Sequence, residues 1–156
     1  MNFGHAVLWG FAGTLILTIL MSGCRGLGLT RMDLPFMLGT IFTPNRDFAK
    51  WIGFLVHLVI GWLFAFLYVD AFVASGIAHW WFGAAIGLVH AMFVLLIGMR
   101  LLPGIHPRMA DELRGPDPTR QLEPPGYMAL HYGRGTPITT IVAHIVYGSV
   151  LGLFYR

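Results

Sequence analysis

Three histidines sit where an ionisable side chain is costly. His57, His90 and His144 each lie inside a long run of apolar residues. Ionisable groups in such runs face a protein interior and have a partner or a role. Two of the three belong to matching patterns: His57-x3-Gly61-x3-Ala65-x2-Tyr68 and His144-x3-Gly148-x3-Gly152-x2-Tyr155. At 100° per residue, offsets of four, eight and eleven gather on one face of a helix. Each set is therefore a stripe of one imidazole, two small residues and one phenol.

Two kinds of chemistry suit that pattern. A neutral imidazole can simply hydrogen-bond to a Tyr or Thr on the next helix, a bond averaging about 0.6 kcal/mol in a membrane. Alternatively, His57 and His144 lie at equal depth, each about 10 Å from the start of its helix at 1.5 Å per residue. On facing helices they could be the axial ligands of a haem b, with Gly61 and Gly148 leaving room for the macrocycle. A (bacterio)chlorophyll or a soft metal would suit the same pair. His90 is expected deeper, outside that ligand plane. The small pairs Gly61/Ala65, Gly83/Gly87 and Gly148/Gly152 need no ligand, since they let helix backbones approach where lipid gives no hydrophobic drive to pack.

No catalytic constellation accompanies the histidines. The sequence has no HExxH, no nucleophile elbow and no Gly-rich phosphate loop followed by Lys. Gly26-x-Gly28 follows an apolar helix rather than a strand, so it is no dinucleotide motif. Cys24 is the only cysteine, which excludes an internal disulfide and a Cys-based metal site. The eight methionines are scattered along the sequence and read as core filler.

The elements that must carry these residues follow from composition. Of 156 residues, 56% are hydrophobic and 11% charged, against about 25% charged in soluble domains. Mean hydropathy is +0.71. The chain reads as an all-α membrane protein of four transmembrane helices, a single domain spanning 1–156. The helices are expected at about 3–23, 44–74, 78–102 and 137–155. Thr43-Pro44 and Thr136-Pro137 read as N-caps followed by Pro, and Pro103-Gly104 as a stop. Leu20-Met21-Ser22-Gly23-Cys24 has the outline of a lipoprotein cleavage site. Met1 to His5 lacks the Lys or Arg of a signal peptide, so the first helix is expected to stay.

Residues 33–42 are too apolar for a free loop and too short to span. They predict an interfacial or re-entrant helix with Asp33 as its cap. Residues 103–135 form a polar, Pro-rich loop in which His106-Pro107-Arg108-Met109 is an ordinary interfacial segment or a contact for a partner or anionic lipid. Asp70 reads as a solvated helix end. A shift of 72 residues aligns Trp9 with Trp81, Gly26 with Gly98 and Pro35-x-Met37 with Pro107-x-Met109. With the His stripes, this suggests two parallel two-helix repeats. Chance spacing of common membrane residues is the alternative.

Nine of the ten Lys and Arg residues fall in two segments. Arg25, Arg31, Arg46 and Lys50 lie between helices 1 and 2; Arg100, Arg108, Arg114, Arg120 and Arg134 lie between helices 3 and 4. The positive-inside rule then puts both charged loops in the cytoplasm and both termini outside. Topology accounts for the net charge of +3 better than nucleic-acid binding, since no aromatic-interleaved basic face exists.

The motifs Asp33-Leu34-Pro35-x-Met37-Leu38-Gly39, His106-Pro107-x-Met109 and His144-x2-Tyr147-Gly148-x3-Gly152-x2-Tyr155 resemble those of small bacterial four-helix inner-membrane proteins, a family of unknown function. The resemblance implies a fold and a location in the bacterial inner membrane, and no activity. The expected role is a non-enzymatic accessory subunit of a larger bioenergetic or transport complex, with membrane lipids and other integral subunits as partners. The alternatives are a haem- or pigment-binding electron-transfer subunit and an oligomeric transporter of a solute, proton or metal.

Overall fold

The computed structural model describes residues 2–111, 113–120 and 122–155, so the expected domain is covered apart from Met1, Glu112, Gln121 and Arg156. Its elements are α1 (Phe3–Gly26), α2 (Leu34–Gly39), α3 (Arg46–Ser75), α4 (Trp80–Phe93), a π-helical turn (Val94–Gly98), α5 (Met99–Ile105), a 3-10 segment (Tyr127–Tyr132) and α6 (Thr136–Phe154). Four spans, Phe3–Gly26, Arg46–Ser75, Trp80–Ile105 and Thr136–Phe154, are long and apolar enough to cross a membrane. The protein is an all-α membrane protein. Among the described residues the only strand-like pairing is an isolated bridge between Met109 and Leu122.

Local chemistry sets the helix ends, not always where the sequence suggests. Asn45, not Thr43, caps α3, accepting from the backbone N–H groups of Asp47 and Phe48. The Thr43 hydroxyl accepts instead from Asn45 N–H. Gly135 caps α6. Thr136 is fully buried and spends its hydroxyl on Thr30, 2.7 Å away. In both cases a tertiary or turn contact takes the hydroxyl that the cap would use. Asp33 does cap α2, accepting from Phe36 N–H, and also pairs with Arg25. Gly76 ends α3 in the left-handed region at φ 69°, where a side chain would be strained.

Pro103 does not stop the third span. A proline removes only its own donor, and His106 N–H still closes the final turn on Leu102 C=O. The preceding π turn has a geometric cause. The buried positions Gly83, Gly87, Ala91, Leu95 and Met99 recur every four residues. On an α-helix that spacing drifts about 40° per step. The wider turn, which closes on Val94 C=O from Met99 N–H, takes back part of that drift and keeps Met99 inward.

The helices form an open square. α4 packs most closely on α6, α6 on α1, and α1 on α3. α3 and α6 touch only slightly across the diagonal. α3 and α4 follow each other through the Gly76 turn, yet their backbones do not approach closely along their length. Glycines set the close contacts. A Cβ on Gly83 would run into the Gly148 carbonyl, and one on Gly148 into the Gly83 carbonyl. Gly87 and Gly152 lie in the same way against the carbonyls of His144 and His79. Gly61 faces the Thr14 side chain, and Ala65 lies against Gly10.

The two charged loops share one end of the bundle. Arg31 N–H donates to Tyr132 C=O at 2.6 Å, and the Arg31 guanidinium pairs with Glu123 at 3.3 Å. α2 lies against α3, with Gly39 on the Ala49 carbonyl and Gly53 on the Pro35 carbonyl. The two Pro-x-Met motifs come together here, but Pro107–Met109 is a turn with no helical counterpart to α2.

Candidate functional site: a histidine-lined cavity

The open α3–α4 side of the square encloses a cavity of about 210 Å³. α3 supplies His57, Gly61 and Phe64; α4 and the turns after it supply His90, Val94 and Met99; α6 supplies His144 and Tyr147. Apart from the imidazoles and the Thr14 and Tyr147 hydroxyls, its walls are apolar. A smaller void of about 20 Å³ continues from His57 and His144 towards the α1–α2 loop, past Thr18, Ser22, Arg25 and Asp33. All three histidines predicted from the sequence therefore meet in one place.

Hydrogen-bond partners fix which nitrogen each ring presents. The Thr18 hydroxyl donates to Thr14 C=O at 2.7 Å. Its oxygen must then accept from His57 Nδ1, 3.2 Å away, so Nδ1 carries the hydrogen and Nε2 keeps a bare lone pair. His144 reaches the same state by another route. Its Nδ1 lies 2.8 Å from Thr140 C=O, which can only accept, so His144 Nε2 is also unprotonated. Neither Nε2 has a hydrogen-bond partner among the described residues. Both rings are nonetheless well buried, each 6% exposed.

His90 departs from the expected depth. Its ring packs edge-on against His144 with centroids 4.7 Å apart and stacks on Phe64 at 3.8 Å. Its Nδ1 shares a hydrogen with the Tyr68 hydroxyl at 3.2 Å. Tyr68 stands edge-on to Tyr147, whose hydroxyl donates to Gly61 C=O at 2.6 Å. The stripe residues thus hold one another across α3, α4 and α6. Tyr155 is apart from this group and accepts from Asn2 N–H.

This geometry does not suit a haem or chlorophyll. A cavity near 210 Å³ is below the about 300 Å³ of the smallest ordinary ligand pockets, and a tetrapyrrole is larger than those ligands. His90 also packs edge-on against His144, with ring centroids 4.7 Å apart. Among the described residues, no three His, Cys, Asp or Glu side chains are grouped to hold a metal ion.

Several residues of the site carry little sequence signal. Thr140 is four residues before His144, a spacing that could have been read as its partner. Its own hydroxyl is buried without a hydrogen-bond partner, and the residue lines the smaller void. Met21, Met32 and Met99 line that void from three different elements, and nothing in their spacing announces it.

Outside the bundle, His106-Pro107-Arg108-Met109 turns inward instead of offering an open surface. His106 is 4% exposed, with Nδ1 accepting from Arg108 N–H and Nε2 donating to Met37 C=O at 3.0 Å. Arg108 donates to Thr40 C=O at 2.6 Å and to Ile41 C=O at 3.1 Å, neutralising the carbonyl end of α2. Burial lowers the His106 pKa from its ordinary 6.5, with the nearby Arg108 charge acting in the same direction. Burial also raises the Tyr132 hydroxyl to about 12, helped by Glu123. Asp70 is exposed but lies inside α3, five residues before its end at Ser75, rather than at the helix end that the sequence suggests.

Comparison with known proteins adds no assignment. No protein-family model matches the sequence, and no curated protein or solved structure matches it.

Proposed function

We propose that the protein is a non-enzymatic membrane subunit that binds a small ligand or ion in its histidine-lined interior. The observation behind this reading is the pair of unprotonated Nε2 atoms on His57 and His144. Each is fixed by an oxygen partner on Nδ1, and each is left without a protein donor beside an apolar cavity. A purely structural histidine would use both nitrogens on its neighbours, because an unmet polar group in hydrocarbon is costly. The proposed setting is the bacterial inner membrane, with charged loops in the cytoplasm and both termini outside. The open α3–α4 side suits an accessory role in a larger assembly of integral subunits.

Mass spectrometry of the protein extracted in mild detergent tests both parts. A bound metal or small organic molecule is expected in wild type and absent from the His57→Phe and His144→Phe variants, with native mass showing companion subunits. A stable, ligand-free monomer would refute the reading.

The void leading towards Arg25 and Asp33 favours a second reading, a path for a proton or small cation along Thr18, Ser22 and the histidines. Flux in liposomes that His57→Phe abolishes would favour it over static binding.

A further inference from the structure

We propose that the smaller void is a binding site for a soft monovalent metal ion, Cu(I), held by His57, His144 and Met99 with Met21 and Met32 beside them. The inference rests on the reading of the interior as a ligand site and names its occupant. A void of about 20 Å³ has room for one water-sized occupant, since about 10–15 Å³ suffices for a water. Its lining includes His57 and His144, whose Nε2 atoms have no hydrogen-bond partner among the described residues.

The donor set selects the ion. His57 and His144 each offer a neutral imidazole lone pair, with Nδ1–H anchored on Thr18 Oγ1 and Thr140 C=O. Such anchoring fixes ring orientation and raises ligand basicity in metal sites. The remaining lining donors are thioethers. Met21, Met32 and Met99 are at most 9% exposed and come from α1, the α1–α2 loop and α5. Thioether sulfur selects Cu(I), while Mg²⁺, Ca²⁺ and Mn²⁺ require oxygen ligands. The one carboxylate at the void, Asp33, is already paired with Arg25. A neutral site in an apolar bundle favours a single positive charge over two. The π turn matters here because it directs Met99 inward.

The test uses purified full-length protein under anaerobic conditions, titrated with Cu(I) in competition with a chromogenic Cu(I) chelator. The Cys24→Ser form is used throughout, so that the one thiol cannot bind copper. We expect one Cu(I) per chain and no displacement by excess Zn(II). Met99→Leu, close to volume-conserving, should weaken binding on the order of ten- to a hundredfold while thermal unfolding of the metal-free protein stays near wild type. His57→Phe should do at least as much. X-ray absorption should show nitrogen and sulfur neighbours, with sulfur reduced in Met99→Leu. Copper bound equally well by both variants, or absent from the Cys24→Ser protein, overturns the proposal. If an organic molecule that depends on His57 is found in place of copper, the ligand-site reading stands and the Cu(I) assignment falls. If neither is found, both fall.

Discussion

At the scale of single residues, the chemistry of the interior turns on where hydrogens sit. Thr18 is decisive for His57, because its own proton is committed to Thr14 C=O. Thr18→Val should cost about 0.6–1.7 kcal/mol, measurable by denaturant unfolding in detergent. It should also weaken the ligand at His57, since the ring is no longer held as the Nδ1–H tautomer. His106 gives a pH dependence outside the membrane. Its folded pKa lies below its ordinary 6.5, so the unfolded chain binds the proton more readily. The associated stability is complete above about pH 6.5 and is lost as pH falls from there towards the folded pKa. The unfolding midpoint should therefore fall between pH 7.5 and pH 5.5, and fall less in His106→Gln.

At the scale of elements, glycine has opposite meanings at different sites. Gly148 sits against the Gly83 carbonyl, whereas a Cβ at Gly23 would meet nothing within 4 Å. Gly148→Leu should force α4 and α6 apart and cost about 3 kcal/mol or more, at the upper end of overpacking penalties. Gly23→Ala should stabilise α1 by about 0.5–1 kcal/mol, because helix-interior glycine carries an entropic cost. Comparing the unfolding of the two variants checks both. Gly148 was readable as a packing residue from the small-x3-small pattern. Its partner was not, because the pattern identifies a face and leaves the neighbouring helix open.

At the scale of the whole molecule, the loop contacts gather Arg25, Arg31 and Arg108 at one end of the bundle. With the proposed orientation, Cys24 lies at that cytoplasmic end. A membrane-impermeant maleimide should label it in inverted vesicles and not in intact spheroplasts. The reverse pattern would invert the topology.

Sequence alone determined the four spans, the α2 segment with its Asp33 cap, and the three histidines as the place to look. These depend on hydropathy, helical period and local capping, which act over neighbouring residues and so can be read in order along the chain. The tertiary structure decided the rest. It moved the caps of α3 and α6 when Thr43 and Thr136 found other partners. It carried the third span through Pro103 and turned His106 and Arg108 inward onto α2. It placed His90 beside His144, so that the predicted pair became a trio around a cavity too small for a macrocycle. It also brought three methionines from separate elements to the His57–His144 void. Such convergence depends on how helices rotate and cross, and on a π turn set by packing. Neither quantity is carried by the spacing of residues within one helix.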